Sequence, residues 1–371
     1  MKTLSVFGTR PEAIKFAPVL AELAKRRKLD SRVCVTAQHR GLLDQVLDIF
    51  GIKPDYDLDI MRPGQALPDL TARLIAGLAP VVARERPDAI LVQGDTTTCF
   101  AAAMCGYYEK VPVGHVEAGL RTGDLYSPFP EEGNRRLVDA IATWRYAPTS
   151  RSRDLLLAEG CPSDSVLVTG NTVVDAILWA QKRARSIRPP LPVRIGKKRL
   201  VLVTAHRRES FGQGIANICH AVAAIARMAP DVVVVFPIHP NPNVREPAGR
   251  IFAQADPNRI RIIDPLDYLT FVRLMDRAEL ILTDSGGIQE EAASLGIPLL
   301  VARDKTERPE VLDVPTTEVV GTEETAISRA ALRWLKRGKL RRRDPRKGPF
   351  GDGRAAKRIA DHLEGLSHCQ A

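Results

Sequence analysis

The chain has 371 residues, 44% of them hydrophobic, which is apolar material for two cores of ordinary size. No apolar run reaches spanning length, and Met1 to Phe7 enters a strand-like segment without a signal-peptide cleavage pattern, so a cytoplasmic protein with no membrane partner is expected. Six cysteines with no Cys-x-x-Cys pair and seven histidines with no His-Glu-x-x-His arrangement point to reduced thiols and to no metal or other cofactor.

The formal charge of +10 is local. Between Arg333 and Lys347 there are nine Lys or Arg against Asp344 alone, and no aromatic residue interleaves from Lys336 to Lys347. A base-stacking surface needs such aromatics, so the run is expected to be a solvated helix end and loop, with no nucleic-acid partner.

Strand-like runs Leu4–Phe7, Val33–Val35, Ala89–Val92, Val111–Val113, Trp144–Ala147 and Val166–Thr169 alternate with helical patterns at Ile14–Lys25, Leu42–Phe50, Leu67–Arg84, Thr98–Tyr108 and Ser150–Glu159. This alternation predicts a parallel, doubly wound sheet. A helix from Val173 to Arg185 and a proline-rich loop, Ile187 to Pro192, follow; the domain break falls in that loop or before the helix. Alternation restarts at Leu200–Thr204, Val232–Ile238, Ile260–Ile263, Leu280–Thr283 and Pro298–Val301, giving a second sheet. Two such domains place their strand ends around an interdomain cleft. The last helical pattern, Arg354–Leu366, returns to the first domain or stays with the second; residues 354–371 are set apart on that account.

The first turn, Gly8-Thr9-Arg10-Pro11-Glu12-Ala13-Ile14-Lys15, is neither Gly-x-Gly-x-x-Gly nor a Walker loop, which weakens a nicotinamide reading. Arg10 and Lys15 supply two cations near a helix start, suited to phosphate oxygens or simply surface charge. Asp95 closes a strand and reads from position alone as a helix N-cap. Glu117 follows Val113-Gly114-His115-Val116 and precedes Ala118-Gly119, small residues that leave room for a ligand, so a functional role is favoured. Pro130 and Glu131 suit the first turn of a helix, and Glu131 and Arg135 share a face; a plain surface pair there contributes only about 0.3–0.5 kcal/mol. In the second half, His206 stands in a polar run at a strand end. Asp284-Ser285-Gly286-Gly287-Ile288-Gln289-Glu290-Glu291 forms a glycine turn and helix start whose N–H groups suit a diphosphate.

Six blocks in order, Gly8–Ala13, Gly94–Thr98, Gly114–Thr122, Pro130–Glu132, His206–Glu209 and Asp284–Glu291, resemble the non-hydrolysing UDP-N-acetylglucosamine 2-epimerases nearly end to end. The resemblance implies a GT-B architecture: an N-terminal Rossmann-like domain over 1–170 and a UDP-binding one over 171–353, with the break near Gly170. It implies interconversion of UDP-GlcNAc and UDP-ManNAc by a homodimer. By motif it assigns active-site positions to Arg10, Lys15, Asp95, Glu117 and His206, with Glu131 as a third acid. It further assigns the diphosphate to Ser285, Gly286 and Gly287, the ribose to Glu291, the uracil region to Phe271 and a nearby contact to Arg308. Some members have glutamine where this chain has Leu266, so any side-chain hydrogen bond to the nucleotide from that position is not carried over to this chain.

The sugar C2 proton is not activated by a carbonyl, so UDP must leave C1 first, or nearly so, and build oxocarbenium character. Cations and helix-terminal N–H groups stabilise the diphosphate charge that develops. Inversion then needs acid/base groups on both faces of C2, with Glu117 as one and Asp95 or Glu131 opposite. Clustered carboxylates should raise at least one pKa. Alternatives are an epimerase of a modified UDP-amino sugar, a hydrolysing epimerase that releases ManNAc, a GT-B glycosyltransferase, or a nucleotide-sugar sensor, the last disfavoured because binding alone needs no acid cluster.

Overall fold

The computed structural model describes residues 1–371 except Gln38, His39, Pro63, Glu307, Lys339, Arg341, Arg343 and the last four, His368 to Ala371; the side chain of Leu42 is also outside it. The chain divides into two compact units, Met1–Ala176 with Phe350–Ala371, and Ile177–Pro349.

In the first unit the strands are β1 (Lys2–Phe7), β2 (Asp30–Val35), β3 (Tyr56–Asp57), β4 (Ala89–Gln93), β5 (Val113–Val116), β6 (Trp144–Ala147) and β7 (Val166–Val168). They form a parallel sheet in the order β3-β2-β1-β4-β5-β6-β7. Every residue of β4 is buried, as a parallel sheet covered by helices on both faces requires. Ile90 and Val92 pack with Leu74 and Leu78 of the helix Leu67–Glu85 and with Ala102 of the helix Thr97–Tyr108. The chain winds in opposite directions on either side of the β1–β4 pair. The order of strands therefore reverses between these two paired neighbours, and the carboxyl ends at such a reversal are the usual ligand position in a doubly wound sheet.

Two details differ from the sequence expectation. The run Val111–Val113 only leads into β5, because pairing begins at Val113 opposite Ile90 and continues through Gly114 and His115. Pro112 has no N–H to donate, though its carbonyl accepts from Ile90 N at 2.9 Å. β3 has two residues, too few to show a period.

The second unit holds β8 (Arg199–Thr204), β9 (Val232–Pro237), β10 (Ile260–Ile263), β11 (Ala278–Thr283), β12 (Leu299–Val301) and β13 (Thr317–Val319). The order is β10-β9-β8-β11-β12-β13, all parallel, with the reversal between β8 and β11. Val201, Val203, Val234 and Phe236 pack on Ile218, Val222 and Ile225 of the helix Gln213–Met228.

A continuous helix, Thr172–Ile187, carries the chain from one unit to the other, and residues 188–198, which include most of the proline-rich stretch, hold neither helix nor strand. The final helix, Ala355–Leu366, belongs to the first unit. Asp175 accepts from Ala355 N (3.2 Å) and Ala356 N (3.1 Å) at its start, and Arg26 reaches Asp361 at 2.6 Å along it. Within the basic run, Arg342 pairs with Asp276 at 2.9 Å and donates to the carbonyls of Asp276 and Ala278, closing the end of the helix Tyr268–Arg277. Lys339, Arg341 and Arg343 lie outside the described residues. Among the described residues, no helix is long and apolar enough to cross a membrane.

Candidate active site

The helix Arg10–Leu23 starts directly after β1, with Thr9 as N-cap and Pro11 in its first turn. Glu12, absent from the expected site, ties this turn to the one after β4. Its Oε2 accepts from Gly8 N (3.0 Å), Thr9 N (2.7 Å) and Thr9 Oγ1 (2.7 Å), and its Oε1 accepts from Thr96 Oγ1 at 2.5 Å. Burial pushes the Glu12 carboxyl up from its ordinary range, against the opposing pull of these four bonds. Glu12 is not one of the clustered carboxylates Asp95, Glu117 and Glu131, and desolvation rather than a neighbouring acid raises it.

Glu117 stands at the end of β5 with φ +68°, a left-handed conformation costly for a residue with a side chain. Its backbone N–H and that of Ala118 both donate to Tyr146 O, at 3.1 and 3.2 Å, which holds the turn. The carboxylate is buried among donors. Lys15 Nζ reaches Oε1 at 2.5 Å, Asn171 Nδ2 donates to the same oxygen at 3.1 Å, and Gln93 Nε2 donates to Oε2. A carboxylate accepts only, so both amides are oriented unambiguously.

Asp95 follows β4 and does not act as the N-cap; Thr96 takes that place, with its hydroxyl accepting from Cys99 N at 3.1 Å. Asp95 Oδ2 instead receives Arg135 Nη2 at 2.6 Å, and Asn134 Nδ2 donates to Asp95 O at 2.8 Å. Arg135 is buried rather than part of a surface pair, and also meets Glu132 at 3.0 Å. Glu131 is the first residue of the helix Glu131–Ile141, half-buried, with Pro130 as N-cap instead of in the first turn.

His115 and Arg121 turn to a different partner, Asp139. His115 Nδ1 lies 2.6 Å from Asp139 Oδ1, and its Nε2 lies 2.8 Å from Gly94 O. Asp139 Oδ2 accepts from Gly119 N at 3.2 Å and pairs with Arg121 Nη2 at 2.8 Å; Arg121 also meets Glu159 in a two-pronged pair at 2.9 and 2.6 Å. Burial pushes the Asp139 carboxyl up, but the charges and hydrogen bonds of His115 and Arg121 outweigh it and hold the group below the usual carboxylate range.

In the second unit, the residues after β8 and β11 meet. Asp284 Oδ2 accepts from the backbone N–H groups of His206 (2.9 Å) and Arg207 (2.8 Å), while the His206 ring stacks on His239 at 5.5 Å between centroids. Burial lowers the His239 pKa, with Asp284 opposing. Ser285 is the N-cap of the helix Gly286–Ser294. A Cβ on Gly286 would lie 3.2 Å from Arg207 Nη2 and 3.9 Å from the Arg308 guanidinium, so this helix start has two cations beside it. Such an end suits an anion. Arg308 Nε is anchored on Glu290 at 2.5 Å, and Glu291 accepts from Tyr268 OH at 3.0 Å. Phe271 is buried on the helix Tyr268–Arg277, Gly287 is exposed, and Leu266 is half-buried just before the N-cap Asp267.

The first unit therefore gathers Arg10, Lys15, Asp95, Glu117 and Glu131 around the β1–β4 reversal and the neighbouring β5. The second gathers His206, Ser285, Gly286, Gly287 and Arg308 around the β8–β11 reversal, with Glu291 linked through Tyr268 to the helix of Phe271. Among residues that sequence reasoning passed over, Gln93 carried a legible signal, an amide closing an otherwise apolar strand. Asn171, Asp139 and Tyr268 carried none. Among the described residues, no group of three His, Cys, Asp or Glu is arranged to hold a metal.

Two doubly wound parallel domains, each with polar residues at its strand reversal, define a GT-B-type α/β protein. The family model for UDP-N-acetylglucosamine 2-epimerases matches residues 21–364. The UDP-N-acetylglucosamine 2-epimerase of Yersinia pestis is 54% identical over 373 residues, 98% of each chain, and that of Escherichia coli K12 is 51% identical over 372 residues, again 98% of each. A crystal structure of UDP-GlcNAc 2-epimerase from Neisseria meningitidis bound to UDP-GlcNAc matches with a TM-score of 0.90 at 45% identity, covering 98% of this chain and 99% of that one. The chain belongs to the UDP-N-acetylglucosamine 2-epimerase family, as the six sequence blocks had implied.

Proposed function

We propose that the protein interconverts UDP-GlcNAc and UDP-ManNAc by elimination and re-addition of UDP. The observation that carries this reading is Glu117: a buried carboxylate in a strained backbone conformation, surrounded by donors, at the end of a strand beside the sheet's reversal. Strain and desolvation of this kind are kept where chemistry needs a fixed acid or base.

In the proposed reaction, the bond from C1 to the diphosphate oxygen breaks and its electron pair leaves with UDP. A carboxylate then takes the C2 proton, and the C2–H electron pair closes a C1=C2 double bond to give 2-acetamidoglucal. Return of a proton to the opposite face of C2, with attack of the UDP oxygen at C1, yields the epimer. Glu117 serves as one acid/base group and Asp95 or Glu131 as the other. The Ser285-Gly286-Gly287 turn, with Arg308, takes the diphosphate; Arg10, Lys15 and His206 offset its growing charge; Glu291 takes the ribose and Phe271 the uracil region. Arg207, beside Gly286, is added to that set on its position.

The relatives named UDP-N-acetylglucosamine 2-epimerase and the relative crystallised with UDP-GlcNAc support this substrate. A cytoplasmic homodimer that needs no cofactor remains part of the proposal. Turnover of UDP-GlcNAc in heavy water tests it: deuterium should enter C2, with 2-acetamidoglucal and UDP as intermediates. Product that retains its C2 hydrogen, or turnover only with an added acceptor, would overturn the reading.

A further inference from the structure

The segment Glu131–Ile141 does more than present Glu131. Its residues 131, 135 and 139 recur every four positions and so share one helix face. Arg135, with its neighbour Asn134, holds Asp95 directly, through the carboxylate at 2.6 Å and the carbonyl at 2.8 Å. One turn further on, Asp139 holds His115, and His115 holds Gly94. Gly94 has φ +72° and is fixed from both sides, because its N–H donates to Val116 O at 3.0 Å while its carbonyl accepts from the His115 ring. The other oxygen of Asp139 fixes the turn after Glu117, through Gly119 N and Arg121.

The hydrogen-bond inventory of this pair is constrained. Gly94 O only accepts, so His115 Nε2 carries a proton, and the contact between Nδ1 and Asp139 Oδ1 holds a second one. Both side chains are completely or almost completely buried. Neither faces solvent for use as a proton donor. Outside the pair, their partners are Gly94 O, Gly119 N and the Arg121 guanidinium, on the turns beside Asp95 and Glu117.

We infer that His115 and Asp139 are positioning residues for epimerisation: a buried, doubly hydrogen-bonded pair that sets the Asp95 turn against the Glu117 turn and both against the helix of Glu131. This inference rests on the proposed epimerase reaction. Two carboxylates that must serve opposite faces of one carbon need a fixed separation, and three elements far apart in sequence are locked here through a single side chain, Asp139. Misplacement of a reacting group by about 1 Å costs on the order of 10²-fold in rate.

The test is Asp139→Asn, which keeps the shape but replaces one carboxylate oxygen by a donor. Proton exchange at C2 and overall kcat should both fall on the order of 10–100-fold. UDP affinity should stay within about twofold, because the groups proposed to hold UDP itself, the Ser285-Gly286-Gly287 turn, Arg308, Glu291 and Phe271, belong to the other unit, while Arg10 and Lys15 are proposed to act on the charge that grows as UDP leaves. A second measurement uses the wild type, so it survives a variant that fails to fold: with ¹⁵N-histidine label, His115 should show a protonated Nε2 and a far-downfield Nδ1 proton. Unchanged exchange in Asp139→Asn, equal loss of UDP affinity and kcat, or a wild-type His115 without the Nδ1 proton would each overturn the assignment. Wild-type protein that exchanges no C2 proton would instead overturn the epimerase reading, and the two failures are thereby told apart.

Discussion

Lys15 Nζ and Glu117 Oε1 meet at 2.5 Å, both side chains almost fully withdrawn from solvent. One comes from the helix after β1 and the other from the end of β5, so the ion pair spans the reversal of the sheet. Breaking a buried pair by removing one partner costs about 3–5 kcal/mol, since the remaining charge stays buried without its counterpart.

That geometry predicts the outcome of Glu117→Gln. The carboxylate accepts from Lys15, Asn171 and Gln93, so either orientation of a glutamine amide sets an NH₂ group against a donor. We expect kcat to fall by at least about 10²-fold while the Kd for UDP, measured by calorimetry, changes by less than about threefold. Equal losses would make Glu117 a binding residue.

Arg207 sits beside Gly286 at the start of the helix Gly286–Ser294. A charge-assisted contact to a diphosphate contributes about 1.5–3 kcal/mol, so Arg207→Ala should weaken UDP binding by roughly 10- to 100-fold. The residual affinity should also depend less on salt concentration than in the wild type. UDP titrations at two ionic strengths decide this, and unaltered affinity would remove Arg207 from the proposed diphosphate site.

Asp175 controls a pH-dependent part of stability. Burial raises its pKa from 3.8 to about 6, opposed by hydrogen bonds from Ala356 N and Ala355 N. Between about pH 4 and 6 the native state therefore binds the extra proton. Stability from this group is fully present below pH 4 and is lost as pH rises through 6, by about 3 kcal/mol at most. Asp175→Asn keeps an acceptor for the final helix and cannot ionise. Its denaturation free energy, measured by urea titration at several pH values, should lack this decline, with a pH-independent offset because the amide NH₂ faces Ala355 N or Ala356 N. Parallel pH profiles for the two proteins would show that Asp175 is not responsible.

Gly119 has φ +85°, and a Cβ there would lie 2.4 Å from Ser152 O and 2.9 Å from Leu156. Two backbones approach closely at this point, next to the Glu117 turn. Gly119→Ala should cost about 2–4 kcal/mol from backbone strain and overpacking together. Thermal unfolding measures the loss, and a variant as stable as the wild type would contradict the close approach.

Much of this protein was legible in its sequence because the information is local. Apolar runs alternating with 3.6-residue patterns determine two parallel, doubly wound sheets. The turns after β1, β4, β8 and β11 carry polar residues in order, which is how Arg10, Asp95, His206 and Ser285 could be singled out and the family recognised. What periodicity does not encode is which distant side chain each of these meets. Asp95 in isolation looked like an N-cap; Arg135, forty residues later, makes it a paired carboxylate instead. The run Val113-Gly114-His115-Val116 gives no sign of a partner for His115, but Asp139, 24 residues away on the helix after β5, draws it inside. Glu117 gains Lys15 from 102 residues before it and Asn171 from 54 after it. Such partners are selected by strand order and register, which bring segments together through long crossovers. The tertiary structure alone decided which carboxylates face the reversal of the sheet and which charges hold them in place.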